Sequence, residues 1–197
     1  MTKNGGTKSM NRASGILLPI SSLPSPYGIG TFSKEAYEFA DKLVEAGQSY
    51  WQILPLGPTG YGDSPYQPFS TFAGNPYLID LENLIEEGLL TKEECEEADL
   101  TGHPNYIEYG KLYENRFPLL RKAYERSNIA KDEKFQAFVK ENEWWVKDYA
   151  LFMAVKKCFN GAAWSEWAQD IRMRWGYSLD YYYSTYSEEI EFYEFLQ

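Results

Sequence analysis

Aromatic rings and hydrogen-bonding groups are concentrated in one short segment, GPTGYGDSPYQ, which spans residues 57–67. Its glycines and first proline predict fixed turns, because glycine reaches positive φ at little cost and proline presets its own φ. The other positions present flat rings beside hydroxyl, carboxylate and amide groups, namely Tyr61, Asp63, Ser64, Tyr66 and Gln67. A sugar has an apolar ring face and an edge of hydroxyls, so this combination predicts a carbohydrate-binding loop.

The segment follows the second of two apolar runs that are typical of strands. SGILLPI, residues 14–20, predicts a buried strand, and YWQILPL, residues 50–56, predicts another. The residues between them have helical spacing, with Ser33 as a predicted N-cap and Gly47 at the predicted C-terminal stop. A strand, a helix and a strand in this order predict a βαβ unit with parallel strands and a right-handed crossover.

Parallel strands in α/β sheets and barrels place their binding sites at the carboxyl ends. Two loops leave these ends: SSLPSPYGIGT, residues 21–31, and GPTGYGDSPYQPFSTFAGNPY, residues 57–77. We name them the first and second rim loops. Asp63 is the only acidic residue in either loop. Because retaining glycoside chemistry needs two carboxyl groups about 5 to 5.5 Å apart, we do not expect this chain alone to catalyse it.

From residue 82 onward the sequence has helical spacing and no confident strand signal. We therefore predict a flexible tail over residues 1–11, a βαβ part over 12–81 and a helical subdomain over 82–197. The tryptophans of the helical subdomain are expected in its core or facing a barrel, and they are Trp144, Trp145, Trp164, Trp167 and Trp175.

Composition excludes several classes of function. The net charge of −10 disfavours nucleic acid and anionic lipid as partners. No apolar stretch resembles a signal peptide or a membrane span, so we expect a soluble cytoplasmic protein. A single histidine, His103, and two separated cysteines, Cys95 and Cys158, argue against a zinc site and a histidine-based triad.

Three long motifs resemble one family. They are SGILLPISSLPSPYGIGT, YWQILPLGPTGYGDSPYQPFSTFAGNPYLIDL and WWVKDYALFMAVK, and they are similar to the amino-terminal part of 4-alpha-glucanotransferases, also called amylomaltases or disproportionating enzymes. The resemblance implies an α/β fold, a (β/α)8 TIM barrel with helical insertions. It also implies retaining transfer of α-1,4-glucan segments between maltodextrins by two carboxyl groups, with no cofactor and no metal.

The family's catalytic carboxylates lie on later barrel strands, beyond residue 197. A complete barrel takes about 250 residues, so we predict an incomplete barrel, an inactive fragment and a missing carboxyl-terminal part as its partner. The last predicted helix, SEEIEFYEFLQ, has Ser187 as its expected cap. It carries apolar residues that we expect to need a partner outside the chain, namely Ile190, Phe192, Tyr193, Phe195 and Leu196.

The resemblance assigns no catalytic residue to this chain but several glucan contacts. Tyr66 would lie beside the sugar next to the scissile bond, with Ser64 and Asp63 shaping the loop or bonding hydroxyls, although Asp63 could simply cap its own turn. Tyr61 is either an accessory glucan platform or an ordinary packed tyrosine.

Two further positions carry the same kind of ambiguity. The resemblance favours Tyr113 as a glucan contact and Tyr109 as packing. Asn75 could line the cleft or mark a plain turn before Pro76.

Two other functions remain open from the sequence. One is a free-standing, non-catalytic α-glucan-binding protein that kept the rim loops. The other is a helical interaction domain in which the aromatic loop has no role with sugars. A saturable response to a maltodextrin would argue against the second.

Overall fold

A computed structural model describes residues 12–60, 62–103 and 105–197. Two short strands, β1 (Gly15–Leu17) and β2 (Tyr50–Gln52), pair in parallel with Gly15 opposite Tyr50. Helix α1 (Lys34–Glu45) connects them. The predicted βαβ unit with parallel strands is therefore confirmed, and the right-handed crossover stays a prediction. The predicted tail, residues 1–11, lies outside the described residues.

The ends of α1 follow from its sequence. Ser33 is the N-cap residue, but its hydroxyl donates to the Glu35 carboxylate at 2.5 Å instead of accepting from the helix backbone. Gly47 adopts a φ of 68° just after the helix, and the N–H of Gln48 donates to the carbonyl of Leu43 at 2.8 Å. This is a Schellman ending, which favours glycine because the left-handed conformation costs glycine little.

The strands are shorter and more exposed than predicted. Ile16 is 42% exposed and Leu17 is 56% exposed, so the prediction of a buried strand over residues 14–20 is wrong for the described chain. Pro19 interrupts the ladder because it has no N–H, and a 3-10 turn over Ile20–Ser22 follows it. Parallel strands become buried when strands and helices cover both faces and both edges, and here each strand has a single strand neighbour.

From residue 82 onward the described chain is helical apart from connecting turns, as predicted, and the sheet contains no strand other than β1 and β2 within the described ranges. The helices are α2 (Leu81–Glu86), α3 (Lys92–Glu97), α4 (Tyr109–Ser127), α5 (Glu133–Glu141), α6 (Glu143–Cys158), α7 (Gln169–Arg172), α8 (Gly176–Thr185) and α9 (Ser187–Phe195). Single 3-10 turns occupy Pro76–Leu78, Ile129–Lys131 and Trp164–Glu166. None of the helices in these ranges is long and apolar enough to cross a membrane.

The main core lies among α4, α6 and α9. Leu120, Ala150 and Val155 are almost fully buried there, and α6 makes its most extensive packing with α9. The first rim loop joins this core through Tyr27 and Ile29. A smaller cluster of Ile20, Leu23, Ala36 and Leu78 lies beneath α1.

Two expectations about α9 are wrong. Ile190, Phe192, Tyr193 and Leu196 are buried within this chain and Phe195 is partly buried, because α9 packs its apolar residues against α4 and α6. Ser187 is the first residue of the helix and not its cap. The N-cap position belongs to Tyr186, whose N–H closes α8 while its carbonyl opens α9.

The tryptophans divide between core and surface. Trp167 is buried, as predicted. Trp144 is 63% exposed, and Trp164 and Trp175 are also exposed, so these three are not in the core of the described chain, and the alternative that they face a barrel stays a prediction.

Candidate functional site

The second rim loop is closed at its base by one backbone hydrogen bond. The N–H of Asn75 donates to the carbonyl of Leu56 at 2.8 Å, so the loop leaves and returns at the end of the same strand run. The side-chain oxygen of Asn75 accepts from the N–H of Tyr77 at 3.0 Å and caps the 3-10 turn that follows. The side-chain oxygen of Asn75 therefore stabilises a turn, as one of the two alternatives for this residue predicts. The side-chain NH₂ group remains to donate to a ligand.

Asp63 forms a tight turn with its backbone. It adopts a φ of 54°, a left-handed conformation that aspartate tolerates better than most residues, and its N–H donates to the carbonyl of Gly60 at 3.0 Å. Its carboxylate makes no hydrogen bond within the part of the chain that the structure describes. Burial raises the pKa of Asp63. The backbone of Asp63 thus forms the turn, and its carboxylate remains available to a ligand.

The negative charge of the Asp63 carboxylate acts on two tyrosines, Tyr77 at the end of the second rim loop and Tyr109 on α4. Burial raises the pKa of both Tyr77 and Tyr109, and the negative charge of Asp63 raises them further. The second rim loop and α4 are therefore neighbours. A hydroxyl-rich ligand placed here would meet the Asp63 carboxylate, whereas the ring of Tyr77 is buried.

Ser64 shapes the loop and Tyr66 projects from it. The Ser64 hydroxyl accepts from the N–H of Tyr66 at 3.4 Å, and the N–H of Gln67 donates to the Ser64 carbonyl at 3.2 Å. Ser64 is half-buried, whereas Tyr66 is 69% exposed. A ring held on a closed turn but free on its faces can stack on an apolar surface of a ligand. Tyr61, for which the sequence leaves open an accessory glucan platform or an ordinary packed tyrosine, lies outside the described residues.

Tyr109 and Tyr113 have different environments on α4. Tyr109 packs against the ring of Tyr77, with centroids 5.8 Å apart, and is half-buried. Tyr113 is 67% exposed and contacts Phe117 edge-on. This geometry agrees with packing at Tyr109, and the glucan contact at Tyr113 stays a prediction.

The distal half of the second rim loop is anchored on α6 by aromatic contacts that the sequence analysis missed. Phe72 meets Trp144 edge-on with centroids 4.6 Å apart and lies 6.2 Å from Trp145. Phe69 stacks on Tyr149 at 6.4 Å. The sequence feature that could have predicted these contacts is the pair of phenylalanines, Phe69 and Phe72, because neither the turns of the loop nor a sugar contact requires them.

The first rim loop presents no comparable surface. Tyr27 is buried, and its hydroxyl donates to Glu82 at 2.6 Å. A Cβ atom on Gly28 would lie 2.1 Å from the carbonyl oxygen of Leu100, so this loop is packed tightly onto the helical part. Exposed groups for a ligand therefore come from the second rim loop and from α4.

The segment that leaves the second rim loop is held by a buried cation. The side chain of Arg116 is fully buried and donates through Nη2 to the carbonyl of Ile79. Burial lowers the pKa of Arg116 to about 10, while the nearby charge of Asp80 opposes that shift. Asp80 itself accepts from the Thr31 hydroxyl at 3.2 Å and caps α2.

The site as described lacks a catalytic pair of carboxyl groups. Retaining glycosidases use two carboxyl groups, and the two rim loops carry only Asp63. The arrangement of Asp63, Ser64, Tyr66 and Tyr113 offers one carboxylate, hydroxyl groups and two exposed rings. These groups suit recognition of a carbohydrate.

Comparison with known proteins agrees with this chemistry. A family model described as 4-alpha-glucanotransferase matches residues 18–197. The 4-alpha-glucanotransferase of Clostridium butyricum is 49% identical over 178 residues, which cover 90% of this chain and 37% of that protein. The one from Thermus thermophilus is 46% identical over 191 residues, which cover 94% of this chain and 37% of that protein.

A solved structure is also similar. The amylomaltase from Streptococcus agalactiae in complex with acarbose superposes with a TM-score of 0.89 at 44% identity, over 95% of this chain and 38% of that chain. The chain thus spans little more than a third of the length of the relatives it matches. Over that span, the chain belongs to the 4-alpha-glucanotransferase family.

Proposed function

We propose that this chain is the amino-terminal part of a 4-alpha-glucanotransferase that moves α-1,4-glucan segments between maltodextrins. Within that enzyme, the residues of this chain would bind the glucan. The observation that carries the proposal is Tyr66, a tyrosine 69% exposed on a loop that backbone hydrogen bonds close at its base and at its tip. Such a ring can stack on a glucose face without first becoming ordered.

The two strands belong, in this proposal, to an incomplete (β/α)8 barrel. Their exposure supports it, because parallel strands occur almost only in sheets covered on both faces. The similarity to a solved amylomaltase over 95% of this chain supports it as well. The remaining strands would come from the missing carboxyl-terminal part of the polypeptide, which would also close the free edges of β1 and β2.

The reaction we propose is a retaining double displacement. One carboxylate attacks the anomeric carbon, a second carboxylic acid protonates the leaving oxygen, and a glucan hydroxyl then takes the place of water as acceptor. Both acids would belong to the rest of the polypeptide. The half-buried Asp63 would bond a glucose hydroxyl, since the chain offers it no carboxylate partner on the rim.

The contacts we propose lie at two levels. Tyr66, Ser64, Asp63 and the NH₂ group of Asn75 would line the cleft beside the reacting sugar. Tyr113 on α4, together with Tyr61, would form an accessory surface for more distant glucose units. The ligand named for the similar amylomaltase, acarbose, supports a glucan-like ligand here.

The location and the partners complete the proposal. We place the enzyme in the cytoplasm, where maltodextrins would be its partners along with the rest of its own polypeptide. The net charge of −10 supports an uncharged ligand over nucleic acid. Nothing in the comparisons supports the alternative of a non-catalytic binding protein.

Calorimetric titration tests the proposal. Maltoheptaose added to the folded 197-residue chain should give saturable heat, while cellohexaose, with β-linked glucose units, should bind much more weakly. When the chain is incubated with maltotriose, chromatography should detect no maltodextrin longer than maltotriose. Equal binding of both sugars would contradict the α-glucan assignment, and transfer by the chain alone would contradict the assignment of catalysis to residues outside it.

A further inference from the structure

The side chain of Gln197 bridges α9 to the second rim loop across the chain. The N–H of Gly74 donates to Oε1 of Gln197 at 2.7 Å, and Nε2 of Gln197 donates back to the carbonyl of Gly74 at 3.3 Å. A primary amide that meets a backbone amide at two points fixes both position and orientation. Gly74 and Gln197 are 123 positions apart in sequence.

This contact satisfies backbone groups that the loop leaves open. Gly74 is exposed, and within the described residues both its N–H and its carbonyl form hydrogen bonds with Gln197. The next residue, Asn75, closes the loop against Leu56. Gln197 therefore acts one residue before the point where the loop returns to its base.

The element that carries Gln197 is firmly held. Leu196 is buried, and α9 packs along α6. Helix α6 also supplies Trp144 and Tyr149, which contact Phe72 and Phe69. The distal half of the loop, residues 69–74, is thus fixed at three points by one packed pair of helices.

The fixed half can set the position of the half that carries Tyr66. A Cβ atom on Gly57 would lie 2.8 Å from Cβ of Pro68 and 3.2 Å from the carbonyl oxygen of Ser70. The two limbs of the loop are therefore in direct contact. A shift of residues 69–74 would have to move Pro68 and, with it, the turn over residues 64–67.

We propose that Gln197 is a positioning residue for glucan binding: its two-point contact with Gly74 holds the second rim loop on the helical subdomain and so sets the orientation of Tyr66. The inference rests on the proposed function for its ligand. The positioning of the loop by Gln197 does not depend on any ligand, so experiments can reject the positioning role and the proposed function separately.

Two variants separate the polar contact from packing. Gln197→Met keeps the length of the side chain and removes both polar atoms, whereas Gln197→Glu keeps the acceptor for the shorter bond. Gln136→Met is the matched control, because Nε2 of Gln136 donates to the carbonyl of Ala130 at 2.7 Å on α5, outside the second rim loop. Circular dichroism establishes that each variant is folded.

The first measurement needs no sugar. Amide exchange of Gly74 by NMR should be fastest in Gln197→Met, intermediate in Gln197→Glu, which keeps the acceptor for the Gly74 N–H but loses the donor to its carbonyl, and unchanged in Gln136→Met; the amide resonances of residues 64–67 should shift most in Gln197→Met. Unchanged exchange at Gly74 and unchanged resonances at 64–67 in a folded Gln197→Met sample would overturn the proposal.

The second measurement adds maltoheptaose. Gln197→Met should raise the Kd about threefold to tenfold, as expected for a loop that must be ordered on binding, and Gln197→Glu should have a smaller effect because it keeps one of the two hydrogen bonds. Equal Kd values for the unmodified chain and Gln197→Met would overturn the link to binding. If the unmodified chain binds no maltoheptaose, the proposed function fails, and the exchange measurement still decides whether Gln197 positions the loop.

Discussion

The ring of Tyr77 in the second rim loop packs against the ring of Tyr109 on α4, with centroids 5.8 Å apart. One turn further along the same helix, Tyr113 is 67% exposed. Residues four apart share a helical face, so the loop covers the first tyrosine and leaves the second accessible. The contact joins the two parts of the chain that we propose to meet the glucan.

This division predicts opposite effects for two tyrosine substitutions. Tyr109→Ala should lower the free energy of unfolding by about 2 to 3 kcal/mol, because it removes a ring packed between α4 and the loop. Tyr113→Ala should change it by less than about 0.5 kcal/mol. Urea denaturation of both variants measures the difference. Similar losses for the two would contradict a packing role confined to Tyr109.

Tyr66 should be needed for glucan affinity and not for folding. Tyr66→Ala should raise the Kd for maltoheptaose about fivefold to tenfold, which corresponds to about 1 to 1.4 kcal/mol, and Tyr66→Phe should lose less because the ring remains. Tyr177→Ala is the matched control, since Tyr177 is equally exposed but lies on α8. If both alanine variants bind alike, Tyr66 is not a contact.

Glu94 should make stability depend on acid pH. Its carboxylate accepts two hydrogen bonds from Arg126, at 2.7 and 2.8 Å, and a third from the N–H of Thr91, and these lower its pKa from 4.5 to about 2. A group with a lowered folded pKa stabilises the protein above its unfolded pKa and loses that effect as pH falls toward the folded value. The Glu94 contribution is therefore present at pH 7 and disappears between about pH 4.5 and 2.

Thermal melts of Glu94→Gln test this dependence. The variant should have a lower Tm than the unmodified chain at pH 7, and the gap should close as pH approaches 2. Glu97→Gln serves as control, because Glu97 lies on the same helix α3 and makes no ion pair within the described chain. A gap that persists unchanged at pH 2 would show that the effect of Glu94 is not electrostatic.

Two glycines should respond to alanine in opposite directions. Gly28 has a φ of 78°, and an added Cβ would lie 2.1 Å from the Leu100 carbonyl oxygen, so Gly28→Ala should cost at least about 2 kcal/mol. Gly110 lies in α4 with open space around a new Cβ, so Gly110→Ala should stabilise by about 0.5 to 1 kcal/mol. Chemical denaturation reports both. A neutral Gly28→Ala variant would show that the first rim loop is not locked against the helical part.

Local signals predicted the features that depend on neighbouring residues. The stop of α1 at Gly47 and the turn of the second rim loop follow from residues within a few positions of each other. The parallel pairing followed from the order of the elements, since a strand, a helix and a strand close in one way.

Features that depend on distant packing could not be predicted. The burial of Phe192 and Leu196 on α9 requires α4 and α6 as partners, and the sequence shows only that these residues are apolar. The same holds for Phe72 against Trp144 and for Gln197 against Gly74, which join segments separated by many residues. Conversely, β1 and β2 have strand-like sequences but carry exposed residues. An apolar pattern indicates that a strand can be buried, but it does not show which other elements would bury it.

The central claim is that the second rim loop binds an α-glucan. Titration of the folded, isotopically labelled chain with maltoheptaose, followed by NMR, tests it most directly. The account predicts saturable shifts at the amides of residues 63–67 and at Asn75 with one common Kd, and little change on α7 and α8. A folded sample in which these amides do not move, or in which the shifts lie elsewhere on the chain, would contradict it.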